Sequence, residues 1–267
     1  MRLLFIGDIY GHPGRRVVHD HLADLVATRG VDLVVANGEN AAAGFGITPP
    51  LAQELLDCGI AVLTGGNHSW DKREILAYWQ AGTSDARHPS HRLLRPANYG
   101  RTLPGAGLFR GTTAAGEPWA VLNLQGRVFM TPLDCPFRTA DRLLAELEPD
   151  CRTILVDFHA EATSEKQAMG WYLDGRVSAV LGTHTHVPTA DERILPGGTA
   201  FQTDVGMTGA YAGAIGSRTE DVLQRLLEGY PARLEPASGD VWLCGAFIDT
   251  ADGKATAIER LQLRKTD

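Results

Sequence analysis

The sequence predicts an α/β layered fold with mixed sheets. Short apolar runs typical of buried strands alternate with helical segments in the first half of the chain, and strands joined by turns dominate its end. The 267 residues are 44% hydrophobic and 21% charged, as in globular proteins, and suffice for one large domain or two small ones. Because we find no internal repeat, low-complexity tract or linker, we expect a single domain over 1–267.

The first half of the chain alternates strands and helices most clearly. Strands are predicted at the short apolar runs 3–6, 33–36 and 60–63. Helices are predicted at 13–30, at 48–57 and from 72 to about 79. Pro13 suits the first turn of the first helix, Thr48 suits the N-cap of the second, and Gly59 suits its end.

The second half begins with weakly patterned sequence, and we expect loops and short strands over 81–118. Strands are then predicted at 119–124, 153–157 and 177–181, and helices at 137–147, 164–170 and 218–227. Hairpin strands are predicted over 189–203, a Gly-rich loop over 205–217, and a terminal hairpin of strands 241–249 and 255–263. The turn of the terminal hairpin lies at Asp252 and Gly253.

The charge of the chain limits its partners. The formal net charge is −7 and the sequence pI is about 5.7, whereas sequence-independent binding to duplex nucleic acid needs a basic face. We therefore expect no stable binding to duplexes. A small phosphate-bearing ligand stays compatible with this charge, because bound metal ions can supply positive charge locally.

The cysteines and the N-terminus predict a cytoplasmic protein. The four cysteines are far apart in the sequence and form no CxxC motif, which is typical of buried thiols in a reducing compartment. The first apolar run is only four residues long, too short for a signal peptide. Since no apolar run approaches the length of a membrane span, we expect no membrane partner.

Five predicted strand ends carry side chains that bind metal ions in other proteins. They are Asp8, Glu39 with Asn40, Asn67 with His68, His159, and His184 with His186. Because parallel strands end at the same side, we expect these groups to lie together along one edge of a sheet. All are oxygen or imidazole donors, which suit iron, manganese or zinc. About seven ligands fit two ions bridged by a carboxylate, an arrangement used for phosphoester hydrolysis.

Each signal also has a purely structural interpretation. The segments at 7–8, 37–40 and 65–68 could be ordinary turns, His159 a core histidine, and His184 and His186 polar loop residues. The combination, always after an apolar run, favours the metal site. The Gly-rich segment 206–211 has two open interpretations. It is either a plain connection or a substrate lid in which Met207 and Thr208 contact substrate and Tyr211 stacks on a base.

These motifs resemble those of the calcineurin-like metallophosphoesterases, and more closely those of the YmdB-like family of small bacterial phosphodiesterases. The motifs are GDIYG (7–11), NGEN (37–40), GGNHSWD (65–71), DFHAEATSEK (157–166) and GTHTHVPTAD (182–191). The resemblance spans nearly the whole chain. It implies a layered metallophosphoesterase-type sandwich of two mixed sheets flanked by helices.

Three positions depart from the general superfamily pattern. Tyr10 stands where a histidine is usual, Glu39 replaces the usual bridging aspartate, and Ser69 follows Asn67-His68 in place of an acidic residue. By resemblance to the YmdB-like family, Asn40 fills the coordination position left by the missing histidine. These departures therefore indicate that branch of the superfamily rather than a lost activity.

The resemblance implies a role for each site residue. One metal ion is held by Asp8, Asn40 and His186, and the other by Asn67, His159 and His184. Glu39 bridges both ions, and His68 acts as general acid just outside the ligand set. The divalent or trivalent ions implied are iron or manganese, with zinc also compatible, since imidazoles outnumber what magnesium prefers.

The implied activity is hydrolysis of 2′,3′-cyclic nucleotides. In the implied reaction a metal-bridging water attacks phosphorus and His68 protonates the leaving ribose oxygen. Two other functions stay open on the same residues: a phosphomonoesterase or protein phosphatase, and a regulatory protein that senses a nucleotide or an RNA end. We also expect the protein to form a homo-oligomer.

Overall fold

Two six-stranded mixed sheets pack face to face, with helices on their outer surfaces. The computed structural model describes residues 1–229, 231 and 233–264. This arrangement confirms the predicted α/β fold of two mixed sheets flanked by helices. Among the described residues, no helix is long and apolar enough to cross a membrane.

The chain forms twelve strands within its described part. They are β1 (Arg2–Ile6), β2 (Leu33–Asn37), β3 (Val62–Thr64), β4 (Leu108–Thr112), β5 (Pro118–Gln125), β6 (Thr153–His159), β7 (Ala179–Thr183), β8 (Arg193–Ile194), β9 (Ala200–Gln202), β10 (Gly209–Ala210), β11 (Val241–Ala251) and β12 (Lys254–Arg264). The α helices are α1 (Gly11–Arg29), α2 (Pro49–Asp57), α3 (Glu74–Gly82), α4 (Pro136–Leu144), α5 (Thr163–Leu173) and α6 (Thr219–Glu228). A short 3-10 helix lies at Pro89–Arg92.

The two sheets each contain a parallel core. In the first sheet β1, β2 and β3 are parallel, β11 pairs with β1 antiparallel, and β10 and β12 pair with β11. In the second sheet β5, β6, β7 and β9 are parallel, with β4 and β8 antiparallel at the edges. The parallel strands of each sheet therefore end at a common edge, where loops can carry functional groups.

Alternating side chains build the three apolar layers. Along β1, Leu3 and Phe5 pack between the sheets, whereas Leu4 and Ile6 pack on the helix side with Val18 of α1. The second sheet has its own outer layer against α4 and α5. Burial of both faces explains why these strands are apolar runs rather than strict alternations of polar and apolar residues.

Most predicted elements are present, with shifted ends. The helix predicted to reach 147 ends at Leu144, because the amides of Glu146 and Leu147 bond to carbonyls only three residues back. The strand predicted to end at 157 continues as β6 to His159. The segment 205–217, predicted as a loop, includes the short strand β10. The terminal hairpin is present, with a register shift at Asp249 and Thr250.

Candidate metal centre

The predicted site residues lie together at the carboxyl ends of strands from both sheets. The groups of Asp8, Glu39 and Asn67 follow β1, β2 and β3 of the first sheet, whereas His159 ends β6 and His184 follows β7 of the second. The expectation of a single sheet edge was therefore wrong. The site is built across two sheets, because the fold stacks their parallel cores with these ends on the same side.

Three ligand atoms converge on the Nε2 atom of His159. Glu39 Oε1 lies 2.9 Å from it, Asn67 Oδ1 3.0 Å, and His184 Nδ1 3.1 Å. Adjacent ligands on one ion at about 2.1 Å are roughly 3 Å apart when they subtend a right angle. The ligand atoms of Glu39, His159 and His184 all lie within 4.8 Å of one another. These side chains can hold a metal ion with little movement.

Polar contacts behind these imidazoles orient their rings. His159 Nδ1 lies 2.8 Å from Thr183 Oγ1, and that hydroxyl donates to Asp157 Oδ1 at 2.7 Å. His184 Nε2 lies 3.1 Å from Glu161 Oε2. Each histidine thus presents its other ring nitrogen to the cluster. Such outer contacts are usual for metal-binding histidines.

Asp8, Asn40 and His186 each present one free ligand atom beside this cluster. Asp8 Oδ2 accepts from the His184 amide at 3.1 Å, which leaves Oδ1. The Asn40 amide nitrogen donates to the Gly44 carbonyl at 2.9 Å, which leaves Oδ1. His186 Nδ1 donates to the carbonyl of Ile215 at 2.9 Å, which leaves Nε2.

Three buried oxygens of the site lack hydrogen-bond partners. They are Asp8 Oδ1, Glu39 Oε1 and Asn40 Oδ1, although Glu39 Oε1 makes the short contact with His159 described above. Buried polar atoms are normally paired, so unpaired ones need an explanation. All three belong to side chains predicted as metal ligands, and the donor set therefore fits metal ions.

The His184-Thr185-His186 segment bends sharply out of β7. His184 has φ 99° and His186 has φ 67°. Residues other than glycine rarely adopt such positive φ angles. Asp204 holds the bend, since its Oδ2 accepts from the Thr185 amide at 3.1 Å and hydroxyl at 2.7 Å. Lys166 pairs with the same oxygen at 2.7 Å, fully buried. Such strain costs about 1–3 kcal/mol per residue and is typical of functional sites.

Burial and neighbouring charges shift the pKa values of Glu39, His159 and His184 in different directions. Burial raises the pKa of Glu39, but the charge of His159 outweighs burial and holds that pKa at about 2. Burial lowers the pKa of His159, yet the carboxylate of Glu39 raises it to about 9. Burial and the neighbouring charge of His159 lower the pKa of His184 to about 3. Glu39 is therefore ionised and His184 neutral near pH 7, as ligands must be.

His68 lies at the rim of this cluster, next to Asn67. Its Nδ1 is 2.9 Å from Asp71 Oδ2, and its ring packs edge-on against Phe45 with centroids 5.1 Å apart. Its backbone amide donates to Glu39 Oε2 at 3.2 Å. A carboxylate only accepts hydrogen bonds, so Nδ1 carries the shared proton and Nε2 is available to a substrate.

A cavity of about 300 Å³ opens above the cluster, lined by Glu39, Asn40, His68, His184 and His186. Glu161 and several apolar residues complete its walls. The residues predicted to contact substrate, Met207, Thr208 and Tyr211, are not among those that line this cavity. Met207 and Thr208 are buried, and the ring of Tyr211 stacks on Trp242 at 4.4 Å. The Tyr211 hydroxyl donates to the Met207 carbonyl at 2.9 Å. Tight packing makes this segment part of the core.

Sequence reasoning missed the residues that hold the ligands in place. The quoted motifs include Asp71, Glu161, Lys166 and Thr183, so the motifs could have singled these residues out. Asp204 gave no signal, because single polar residues at strand ends are common. The contacts of Thr183 with His159 and of Asp204 with Thr185 appear only once the chain is folded.

Comparison with known proteins gives consistent matches along the chain. The profile described as YmdB-like protein matches residues 4–261. A 2′,3′-cyclic-nucleotide 2′-phosphodiesterase from Bacillus subtilis (strain 168) is 48% identical over 263 residues, which cover 98% of this chain and 96% of that protein.

Two solved structures share the fold over the full chain. A hypothetical protein from Thermus thermophilus superposes with a TM-score of 0.91 at 44% identity, covering 100% of both chains. A novel phosphatase from Mycoplasma pneumoniae superposes with a TM-score of 0.89 at 32% identity, covering 100% of this chain and 94% of that one. The layered arrangement of two sheets is thus common to these relatives.

Proposed function

Because the chain belongs to the YmdB-like protein family, we propose that it is a metal-dependent phosphodiesterase that hydrolyses 2′,3′-cyclic nucleotides. The observation that carries this proposal is the convergence of Glu39, Asn67 and His184 on His159 Nε2, beside unpaired oxygens of Asp8 and Asn40. The Bacillus subtilis relative, which bears the name of this activity, supports the choice of substrate.

The proposed ligand sets follow the two groups of side chains. Asp8, Asn40 and His186 would hold one ion, and Asn67, His159 and His184 the other, with Glu39 between them. When bound, two metal ions would neutralise the phosphate and activate a water molecule as nucleophile. The imidazole donors favour iron or manganese, with zinc also compatible.

His68 would supply the proton in this reaction. A water molecule gives one proton to solvent and adds to phosphorus, and one bond between phosphorus and a ribose oxygen breaks. The leaving oxygen takes the Nε2 proton of a His68 imidazolium, whose Nδ1 keeps its proton towards Asp71. Asp71 orients the ring by accepting from Nδ1, and the contact of the His68 amide with Glu39 fixes its distance from the ligands. The product is a nucleoside monophosphate.

The proposal also includes the location, the domain organisation and the assembly of the protein. The four cysteines are free, as in proteins of reducing compartments, which supports a cytoplasmic location. The apolar layers run continuously from the first sheet through the second, which supports a single domain. We also retain a homo-oligomer as the expected assembly.

A side-by-side assay tests the substrate. The protein loaded with manganese or iron is given 2′,3′-cyclic AMP, 3′,5′-cyclic AMP and p-nitrophenyl phosphate. We expect the first to be turned over fastest. The Mycoplasma pneumoniae relative is described as a phosphatase, so a monoester is the relevant competitor. Turnover of the monoester alone would replace the proposal with a phosphomonoesterase.

A further inference from the structure

We infer that the apolar part of the cavity lining is a nucleobase subsite, formed by Phe45 from one loop and Ile215 from another. The inference rests on the proposed function and adds to it the part of the substrate that is not chemically changed. Glu39, His184 and His186 line the same cavity. The lining thus combines groups suited to a phosphate with apolar side chains suited to a ring.

Tyr10 brings the two loops together. A Cβ atom on Gly44 would lie 2.5 Å from the Tyr10 hydroxyl, and one on Gly216 would lie 2.8 Å from its ring. Both glycines therefore allow their loops to pack directly on Tyr10. Phe45 and Ile215 adjoin these glycines, and both line the cavity.

The position of Phe45 matches the shape of a nucleotide. Its ring centroid is 5.1 Å from that of His68, the residue proposed to protonate the leaving ribose oxygen. A ribose whose oxygen meets His68 therefore brings its base within reach of the Phe45 ring. Base stacking on an aromatic side chain is a common and base-tolerant mode of nucleotide binding.

Ile215 is held at the cavity in an unusual backbone conformation. It is a β-branched residue with φ 47°, and its side chain is 56% exposed. Its carbonyl accepts the hydrogen bond from His186 Nδ1 that orients the metal-binding nitrogen. The same residue therefore links a proposed ligand with the apolar wall, and this hydrogen bond fixes that wall next to the site.

The cavity lining offers little to read the edge of a base. Apart from the proposed ligands and from His68 and Glu161, its polar side chains among the described residues are the hydroxyls of Tyr10, Thr185 and Ser217. Tyr10 and Ser217 bond to each other at 2.7 Å, and Thr185 donates to Asp204 at 2.7 Å. A base held there gains stacking and apolar contact without side-chain hydrogen bonds. We therefore expect similar turnover of 2′,3′-cyclic nucleotides with all four bases.

The experiment compares substrates with and without a base. Wild type, Phe45→Ala and Phe45→Trp are assayed on the 2′,3′-cyclic nucleotides and on abasic methyl riboside 2′,3′-cyclic phosphate. Phe45→Ala should lower kcat/KM for the nucleotides by about 5- to 150-fold more than for the abasic substrate, the range for loss of one stacking contact. Phe45→Trp should retain the preference. Phe129→Ala is the matched control, since that ring is 90% exposed and does not line the cavity.

Calorimetric binding separates this inference from the proposed function. Adenosine 3′-monophosphate and methyl riboside 3-phosphate are titrated into the metal-loaded wild type and Phe45→Ala. Tighter binding of the adenosine compound to wild type alone supports the subsite, even if no cyclic nucleotide is hydrolysed and the proposed function fails. Equal binding of both compounds to wild type, or an equal loss of both in Phe45→Ala, overturns the subsite even if hydrolysis is confirmed.

Discussion

The Nδ1 atom of His68 lies 2.9 Å from Oδ2 of Asp71, three residues further along the chain. Both follow β3, so a single loop carries the proposed acid and the carboxylate that orients it. The contact directs Nε2 of the imidazole to the cavity, which His68 lines. A proton donor held in this way can reach the leaving oxygen while His68 stays outside the metal ligand sets.

The role of His68 predicts a dependence on the leaving group. His68→Ala should lower kcat on 2′,3′-cyclic AMP by about 10²- to 10⁴-fold, the usual contribution of general acid catalysis. Asp71→Asn should give a smaller loss. Both variants should lose little on bis(p-nitrophenyl) phosphate, whose leaving group needs no proton. Metal content measured by mass spectrometry should match wild type; a His68→Ala protein without metal would rule out the general acid assignment.

Glu39 should be indispensable to the metal centre. Glu39→Gln keeps the size of the side chain but removes the buried charge that faces His159 at 2.9 Å. We expect this variant to lose bound metal and turnover together. Glu54→Gln, a change in a partly exposed ion pair with Arg15, is the control and should retain both. Two ions bound to Glu39→Gln with wild-type affinity would contradict the bridging assignment.

Glu161 should act on metal affinity through His184. Its Oε2 lies 3.1 Å from His184 Nε2, the ring nitrogen turned away from the cluster. Removing such an outer contact usually costs about 10- to 100-fold in metal affinity. In calorimetric titration, Glu161→Gln should therefore bind more weakly the ion that we assign to Asn67, His159 and His184. Glu146→Gln, which changes a similarly exposed carboxylate paired with Arg142, should not; equal affinities in the two variants would dismiss the role.

Metal uptake should release protons between pH 7 and 8. In metal-free protein the carboxylate of Glu39 overcomes burial and raises the pKa of His159 to about 9, so His159 is protonated in this range. A ligating imidazole must be neutral, so binding displaces this proton and metal affinity rises with pH up to about 9. Glu39, with a pKa of about 2, contributes no proton here. Calorimetric titrations in buffers of different ionisation enthalpy measure the number of protons released. Metal binding without proton release would show that Glu39 and His159 are not a charged pair in the metal-free protein.

Much of the site could be predicted because its ligands sit at the ends of apolar strands. Asp8, Glu39 and His184 each follow a run whose burial is evident from sequence, and burial fixes where the strand ends. What could not be predicted depends on contacts between distant parts of the chain. The pairing of strand ends across two sheets and the hold of Asp204 on Thr185 are of this kind.

The structure of the Gly-rich segment 206–211 could not be predicted from its composition. Its composition suggested mobility, yet the fold buries Met207 and Thr208 and pairs β10 with β11. The glycines serve close packing: a Cβ atom on Gly206 would meet Pro188 at 2.7 Å. Composition alone cannot distinguish a glycine needed for close approach from one that gives flexibility. The two residues of the inferred subsite, Phe45 and Ile215, lie outside the motifs.

Anomalous diffraction from crystals grown with manganese tests the two-metal centre most directly. We predict two peaks about 3.5–4 Å apart. One should lie within bonding distance of Asp8, Asn40 and His186, the other within bonding distance of Asn67, His159 and His184, and Glu39 should contact both. A single peak in the cleft, or two peaks that do not share Glu39, would contradict the account.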